Sequence, residues 1–302
     1  MRRTWVAIPV IVIAAAAGMA FVYRGEVRSW WQARDAEPLP IAQPFHPTTS
    51  SAPLSAPILG AQDSATVEGG VATSEHFVMV SSPPTTPKTA TTPPVAPVIP
   101  PVDPSVSAKA LPAEVNLAVP FTSQAPNGDW GYPYQEACEE ASAIMVDDFY
   151  HGQTGTIAPA TAKKSIDNLV AFELKQYGDY KDTDAQATAA FIRDYFHYQT
   201  VLIQPLTSVD DIKAVLARGY PVLVPADGKL IPNPNYKNGG PAYHVLVVKG
   251  YTKDRFITND SGTRLGADYT YTYDALMNAA HDWNGGDVIH GKRVMIVVMP
   301  NP

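Results

Sequence analysis

Apolar and polar positions along this chain fall into three regimes. Residues 5–23 form an almost unbroken apolar run, interrupted only by Pro9 and free of charge. Nineteen residues at about 1.5 Å each reach across a bilayer, which predicts a membrane anchor over residues 1–35. Gly18 and Ala20 are small enough for a cleavage site after Ala20, which would release a secreted protein. The run continues through Phe21-Val22-Tyr23, and this suits a retained signal anchor better. Residues 36–112 then lose all periodicity and hold sixteen of the 29 prolines, with runs such as Pro83-Pro84-Thr85-Thr86-Pro87. Such a composition buries no core and predicts a disordered Pro/Thr/Ser-rich stalk, on the order of 50 Å as a random coil. Arginines flank the span on both sides, so the positive-inside count leaves orientation open, and the stalk points to an extracytoplasmic domain.

Periodicity resumes over residues 113–302. Residues 119–123 read as a short strand. Ala141, Met145 and Phe149 follow Cys138 at i+3, i+7 and i+11, the stripe of an amphipathic helix running to about residue 150. Two more helices are expected over 160–177 and 184–198, the second capped by Thr183 with Gln186. A strand over 200–204 precedes a helix from Ser208 to Arg218, with Asp211 in the capping box and Gly219 at its stop. Strands are expected over 221–226, 243–250, 255–258 and 294–299, with a loop over 226–242 and a helix over 273–280. Helices first and then mostly sheet predict an α+β domain of two lobes.

Charge and cysteine count narrow the chemistry. The chain carries 22 Lys and Arg against 29 Asp and Glu. Residues 1–112 contain seven of each sign, so the domain holds 15 against 22 and all of the net −7. No basic cluster stands out, which argues against nucleic acid as a partner. One cysteine excludes an internal disulfide and leaves a lone thiol on a chain expected to face an oxidising compartment.

Cys138 opens its helix, where unpaired backbone N–H groups and the positive dipole end favour thiolate. Taken alone it reads more readily as a small buried hydrophobe. His244 begins the apolar strand Tyr243-His244-Val245-Leu246-Val247-Val248, and Asp260 ends the next one, Phe256-Ile257-Thr258-Asn259-Asp260. A hairpin centred on Thr252 pairs positions summing to 504, which sets His244 opposite Asp260 with Cβ atoms about 5 Å apart. A slip of one residue would present Ser261 instead. Alone, the histidine is an ordinary core residue and Asp260-Ser261-Gly262 an ordinary turn. Together with the cysteine they form a Cys–His–Asp set: His244 takes the thiol proton, the thiolate attacks a carbonyl, and Asp260 orients the imidazole. Gln124, at the end of the first strand, is the expected oxyanion donor alongside the Cys138 backbone N–H. Gln135 is expected to face solvent.

These segments resemble the papain-like cysteine peptidases related to the bacteriocin-processing, double-glycine-leader enzymes. The resemblance rests on Ala137-Cys138-Glu139-Glu140-Ala141-Ser142, on 243–251 (Tyr-His-Val-Leu-Val-Val-Lys-Gly-Tyr), on Ile257-Thr258-Asn259-Asp260 and on the helix-to-strand step at 216–224. It implies a papain-like two-lobed fold, with the cysteine on a helical lobe and the histidine and aspartate on an antiparallel sheet. It implies Cys138 as nucleophile, His244 as base, Asp260 as orienter and Gln124 in the oxyanion hole. No cofactor is implied. The bacteriocin-processing members carry Asp-Cys-Gly where this chain has Ala137-Cys138-Glu139, and Glu139 sets a negative charge against the thiolate.

The expected function is therefore a membrane-anchored, extracytoplasmic cysteine peptidase acting on a peptide or protein substrate, with a monomeric domain. Two alternatives stand beside it: a catalytically inactive papain-like surface binding module, and a hydrolase of peptidoglycan stem peptides. An aspartic protease would need a second copy of Asp260-Ser261-Gly262 or a dimer, and the helical first half does not fit it. Metal hydrolysis lacks an HExxH or paired histidine spacing among the seven histidines.

Overall fold

The computed structural model describes residues 38–46 and 111–302. The expected span at 5–23 lies outside the described residues, as does most of the expected stalk. Among the described residues no helix is long and apolar enough to cross a membrane. The exception within the expected stalk is informative. Residues 38–46 are docked on the domain: Gln43 N–H donates to the Asn116 carbonyl at 2.7 Å, and Ala118 N–H donates to the Gln43 carbonyl at 2.7 Å. Phe45 then stacks edge-on against Phe149 and Tyr150 at 5.6 and 5.0 Å. The apolar residues that composition analysis averages away among the prolines, Ile41 and Phe45, include the one that anchors this strip.

The domain opens with β1 (Val115–Asn116), a 3-10 turn (Tyr134–Glu136) and three helices, α1 (Cys138–Tyr150), α2 (Pro159–Gln176) and α3 (Ala185–Phe196). There follow β2 (Thr200–Pro205), α4 (Val209–Leu216), β3 (Val222–Asp227), β4 (Tyr243–Tyr251), β5 (Arg255–Asn259), β6 (Tyr269–Thr272), α5 (Tyr273–Ala279) and β7 (Val294–Met299). The strands make one antiparallel sheet in the order β2-β7-β3-β4-β5-β6, with β1 also pairing β4. The α+β expectation thus holds. The strand expected at 119–123 does not form; that segment makes only a single bridge, Phe121 with Thr156. α3 is capped by Asp184, whose side chain accepts from Ala187 N–H, and not by Thr183. The Ser208–Asp211 capping box on α4 is present.

β4 is the spine of the sheet, buried at all nine positions, as its continuous apolar run requires for a strand covered on both faces. Gly250 is needed there, because a Cβ would stand 2.3 Å from the Val115 carbonyl where β1 crosses. Pro225 sits in β3 beyond Leu223, the last residue paired with β7, so its missing N–H interrupts no ladder on that side.

The register of the β4–β5 hairpin differs from the expected one. The turn closes tighter, with Thr252 N–H donating to the Arg255 carbonyl, and the first pairs, Tyr251↔Phe256 and Gly250↔Ile257, sum to 507. A bulge at Lys249 then shifts the sum to 506 at Val248↔Thr258 and Val247↔Asn259. Without the bulge, continued pairing would set Asp260 opposite Val247, on the face away from His244. The extra residue reverses the parity and returns Asp260 to the face of His244. Its carbonyl is not stranded, since Leu117 N–H donates to it at 2.8 Å.

Candidate active site

α1 carries the thiol into the middle of the molecule. Its expected stripe of Ala141, Met145 and Phe149 is fully buried, and so are nearly all other positions before Asp147. No side chain caps its first turn. Ser142, one turn along from Cys138, donates to the Val245 carbonyl at 3.1 Å and fixes α1 against β4. Cys138 is thereby set beside the start of β4, with its sulfur facing the backbone N–H of Val245, the residue after His244.

His244 and Asp260 meet inside the protein, Nε2 to Oδ1 at 2.9 Å, with exposures of 1% and 0%. Asp260 is held from several sides. Tyr271 and Tyr236 hydroxyls donate to its Oδ2 at 2.5 and 2.7 Å, Asn233 Nδ2 does so at 3.0 Å, and Gly262 N–H donates to Oδ1 at 3.0 Å. Burial alone would raise this carboxyl, but the imidazole and the hydroxyl donors outweigh it and lower it to about 2. An ionised Asp260 accepts only, so the imidazole proton on that side sits on Nε2. Nδ1 is buried and without a hydrogen-bond partner, and in the neutral ring it carries the lone pair. That is the configuration of a base awaiting a proton.

Gly262 fits closely over this pair: a Cβ there would stand 3.0 Å from His244 Cε1 and from Tyr236 Cε1. Tyr236, Asn233 and Tyr271 were not singled out from the sequence. The first two lie in the expected loop, and Tyr271 lies in β6, a strand whose Tyr-Thr-Tyr-Thr alternation was the available signal.

Two sequence expectations need correction. Gln124 is close to the site, with its backbone N–H bonded to the Ser261 carbonyl at 3.0 Å. Its amide, however, donates to the Tyr134 and Gln135 carbonyls at 2.9 and 3.1 Å, so both N–H groups are occupied. In this arrangement Gln124 ties down the turn leading into Cys138 and does not present a donor to an oxyanion. Gln135 is exposed and bonds Glu136, as expected.

The thiol itself is not in a thiolate-favouring setting. Cys138 is 5% exposed, and its Sγ donates to Glu139 Oε2 at 2.9 Å. Burial pushes the thiol up first, and the Glu139 carboxyl beside it pushes it further, against the opposing Val245 N–H. The helix N-terminus does not overcome these two effects. Glu139→Gln is therefore expected to move the pH midpoint of Cys138 alkylation downward; an unchanged midpoint by iodoacetamide kinetics would show that Glu139 does not govern the thiol.

The model of the peptidase C39-like family matches residues 116–286, a stretch that contains Gln124, Cys138, His244 and Asp260. The chain belongs to the peptidase C39-like family. It is accordingly a cysteine peptidase. No curated protein matches the chain. Among solved structures it is similar to one described as a C39-like peptidase from Bacillus anthracis, at 15% identity and a TM-score of 0.41, covering 62% of this chain and 98% of that one. It is also similar to digestive procathepsin L 3 of Tenebrio molitor larval midgut, at 13% identity and TM-score 0.37, covering 64% and 72%. A third is xylellain, a cysteine protease from Xylella fastidiosa, at 16% identity and TM-score 0.32, covering 64% and 88%.

Proposed function

We propose that this C39-like peptidase hydrolyses peptide bonds through Cys138, His244 and Asp260, and that it works outside the membrane on a Pro/Thr-rich tether. The observation that carries the mechanism is the buried His244–Asp260 pair with an unpartnered Nδ1 beside the cysteine helix. His244 Nδ1 takes the thiol proton as Cys138 turns away from Glu139. The thiolate attacks the scissile carbonyl, and the oxyanion meets the Cys138 backbone N–H at the helix start. The imidazolium, steadied by Asp260, returns its proton to the leaving amine, which departs as the acyl-enzyme forms. Water, deprotonated by His244, then releases the acid. Gln124 serves this reaction by fixing the Tyr134–Gln135 turn.

Two observations favour a second reading, a papain-like binding module without turnover. The thiol is engaged by Glu139, and Gln124 is committed to loop carbonyls. A peptide-like electrophile separates the two: covalent labelling at Cys138 supports the peptidase, and a chain that binds peptides but never labels supports the module. The tether rests on the 5–23 run and the proline content of 36–112. Protease treatment of intact cells is expected to release the folded domain, and a domain that stays protected would reverse the assigned topology.

A further inference from the structure

Beyond Glu139 lies a second chamber that the reaction as written does not use. A cavity of about 370 Å³ opens between the end of α2, the segment leading into α3, and Trp283. Its charged lining is Glu173, Asp179, Asp182 and Asp184 against a single cation, Lys181. Asp179 and Lys181 stand exposed at its mouth. At its floor Glu173 is 1% exposed, and its Oε2 is buried with no partner. Behind it Glu140, 0% exposed, faces Glu173 and otherwise has no partner for either oxygen, and Glu139 Oε1 is unpartnered as well. Of these three only Glu173 lines the cavity, and its Oε2 is a buried acceptor that no donor of the chain reaches.

The chemistry of that donor is constrained. Among the described residues no group of three or more His, Cys, Asp or Glu is arranged to hold a metal ion. The carboxylates ring a volume suited to an organic group instead, and Trp283 adds an aromatic surface for an aliphatic stem or a cation. The cavity also touches both halves of the catalytic pair through their chain neighbours. Glu139 accepts from the Cys138 thiol at 2.9 Å and feels the charge of Asp182 across the cavity wall. Tyr243, the residue before His244, donates to the Thr183 carbonyl in that wall at 3.1 Å.

We propose that this cavity is the specificity pocket of the peptidase, and that it takes a lysine, arginine or similar amine-bearing side chain of the substrate near the scissile bond. The proposal rests on the peptidase reading above. An entering ammonium or guanidinium donates to Glu173 and to the mouth aspartates in charge-assisted bonds. Burial holds the empty Glu173 carboxyl up at about 8, consistent with a site that keeps protons until a cation replaces them.

The test uses full-length chain in detergent and internally quenched peptides that differ at one position by Lys, Arg, norleucine or Glu, each with a free or acetylated N-terminus. The expected kcat/KM for Lys or Arg exceeds that for norleucine by about a hundredfold, with Glu the poorest. Asp182→Asn and Glu173→Gln each lower the Lys-to-norleucine ratio by about tenfold, with thermal midpoints reporting that the variants fold. Equal turnover of Lys and norleucine peptides overturns the proposal, as does a ratio unmoved in both variants. A preference that follows the free N-terminus and ignores the side chain overturns the side-chain assignment. A further arm does not depend on turnover. N-acetyl-lysine amide should raise the thermal midpoint of the Cys138→Ala chain where N-acetyl-norleucine amide does not. Equal shifts, or none, count against the pocket even if the peptidase reading itself fails.

Discussion

Cys138→Ala is expected to reduce peptide hydrolysis by a factor on the order of 10⁴ or more while leaving the fold standing. The variant removes one sulfur from the start of α1 and leaves the stripe of Ala141, Met145 and Phe149 in place. Its stability cost is that of a small truncation plus the lost contact to Glu139, about 1–2 kcal/mol. His244→Ala should be nearly as severe in turnover, because the thiol loses the base that takes its proton and returns it to the leaving amine. It should also lower the thermal midpoint, since Asp260, 0% exposed, would lose a buried hydrogen-bond partner. Asp260→Asn should keep partial activity, because Asn still accepts from Nε2 while losing the charge that supports the imidazolium. The pattern matters more than any single value. An active Cys138→Ala chain would sink the cysteine mechanism. A chain whose only defect on Cys138→Ala is a lowered midpoint would show the residue to be packing.

Much of this site was legible in the sequence, and for a reason that can be traced. Burial patterns specify faces, and faces survive small errors of register. The hairpin was expected to pair His244 with Asp260 at a sum of 504; the observed sum past the bulge is 506, two residues away and of the same parity. The pair therefore forms on the expected face even though the two residues are not directly opposite. The bulge itself was invisible, because Lys249 within an apolar run reads as an ordinary strand residue. Only in three dimensions does it reach Asp268, at 2.5 Å, and accept from Leu117. Gln124 lies near the site through bonds that the sequence does not display. Its partners are main-chain carbonyls at Tyr134 and Gln135, which carry no side-chain signature. The buried acids were missed for a related reason. Glu139 and Glu140 in a first helical turn carry no sequence signal of burial, which depends on α2 delivering Glu173 against them.

That acidic core should dictate how the domain responds to pH. Burial raises Glu139 and Glu140 well above the ordinary 4.5, and it raises Glu173 to about 8, with neighbouring carboxyls adding to the effect. Burial likewise lifts Asp282 to about 6. In the unfolded chain these groups lose their protons near pH 4 to 4.5, whereas the fold keeps them. Their stabilisation is complete below that range and declines as pH rises toward 8, because the native state then binds more protons than the unfolded one. Asp260 acts in the opposite sense. Lowered to about 2 against an ordinary 3.8, it stabilises above about pH 4 and its contribution is lost as pH falls toward 2. The thermal midpoint should therefore peak between about pH 4 and 5 and fall steadily to pH 8. Glu140→Gln isolates the cause. The amide keeps a donor toward Glu173, carries no proton to lose, and relieves the repulsion that raises its neighbour. Its midpoint should match the parent near pH 5 and exceed it by about 5 °C or more at pH 8. Calorimetry across this range decides the matter: parallel curves for parent and variant would mean that the buried glutamates do not set the pH dependence, and the proton-sharing core would have to be abandoned.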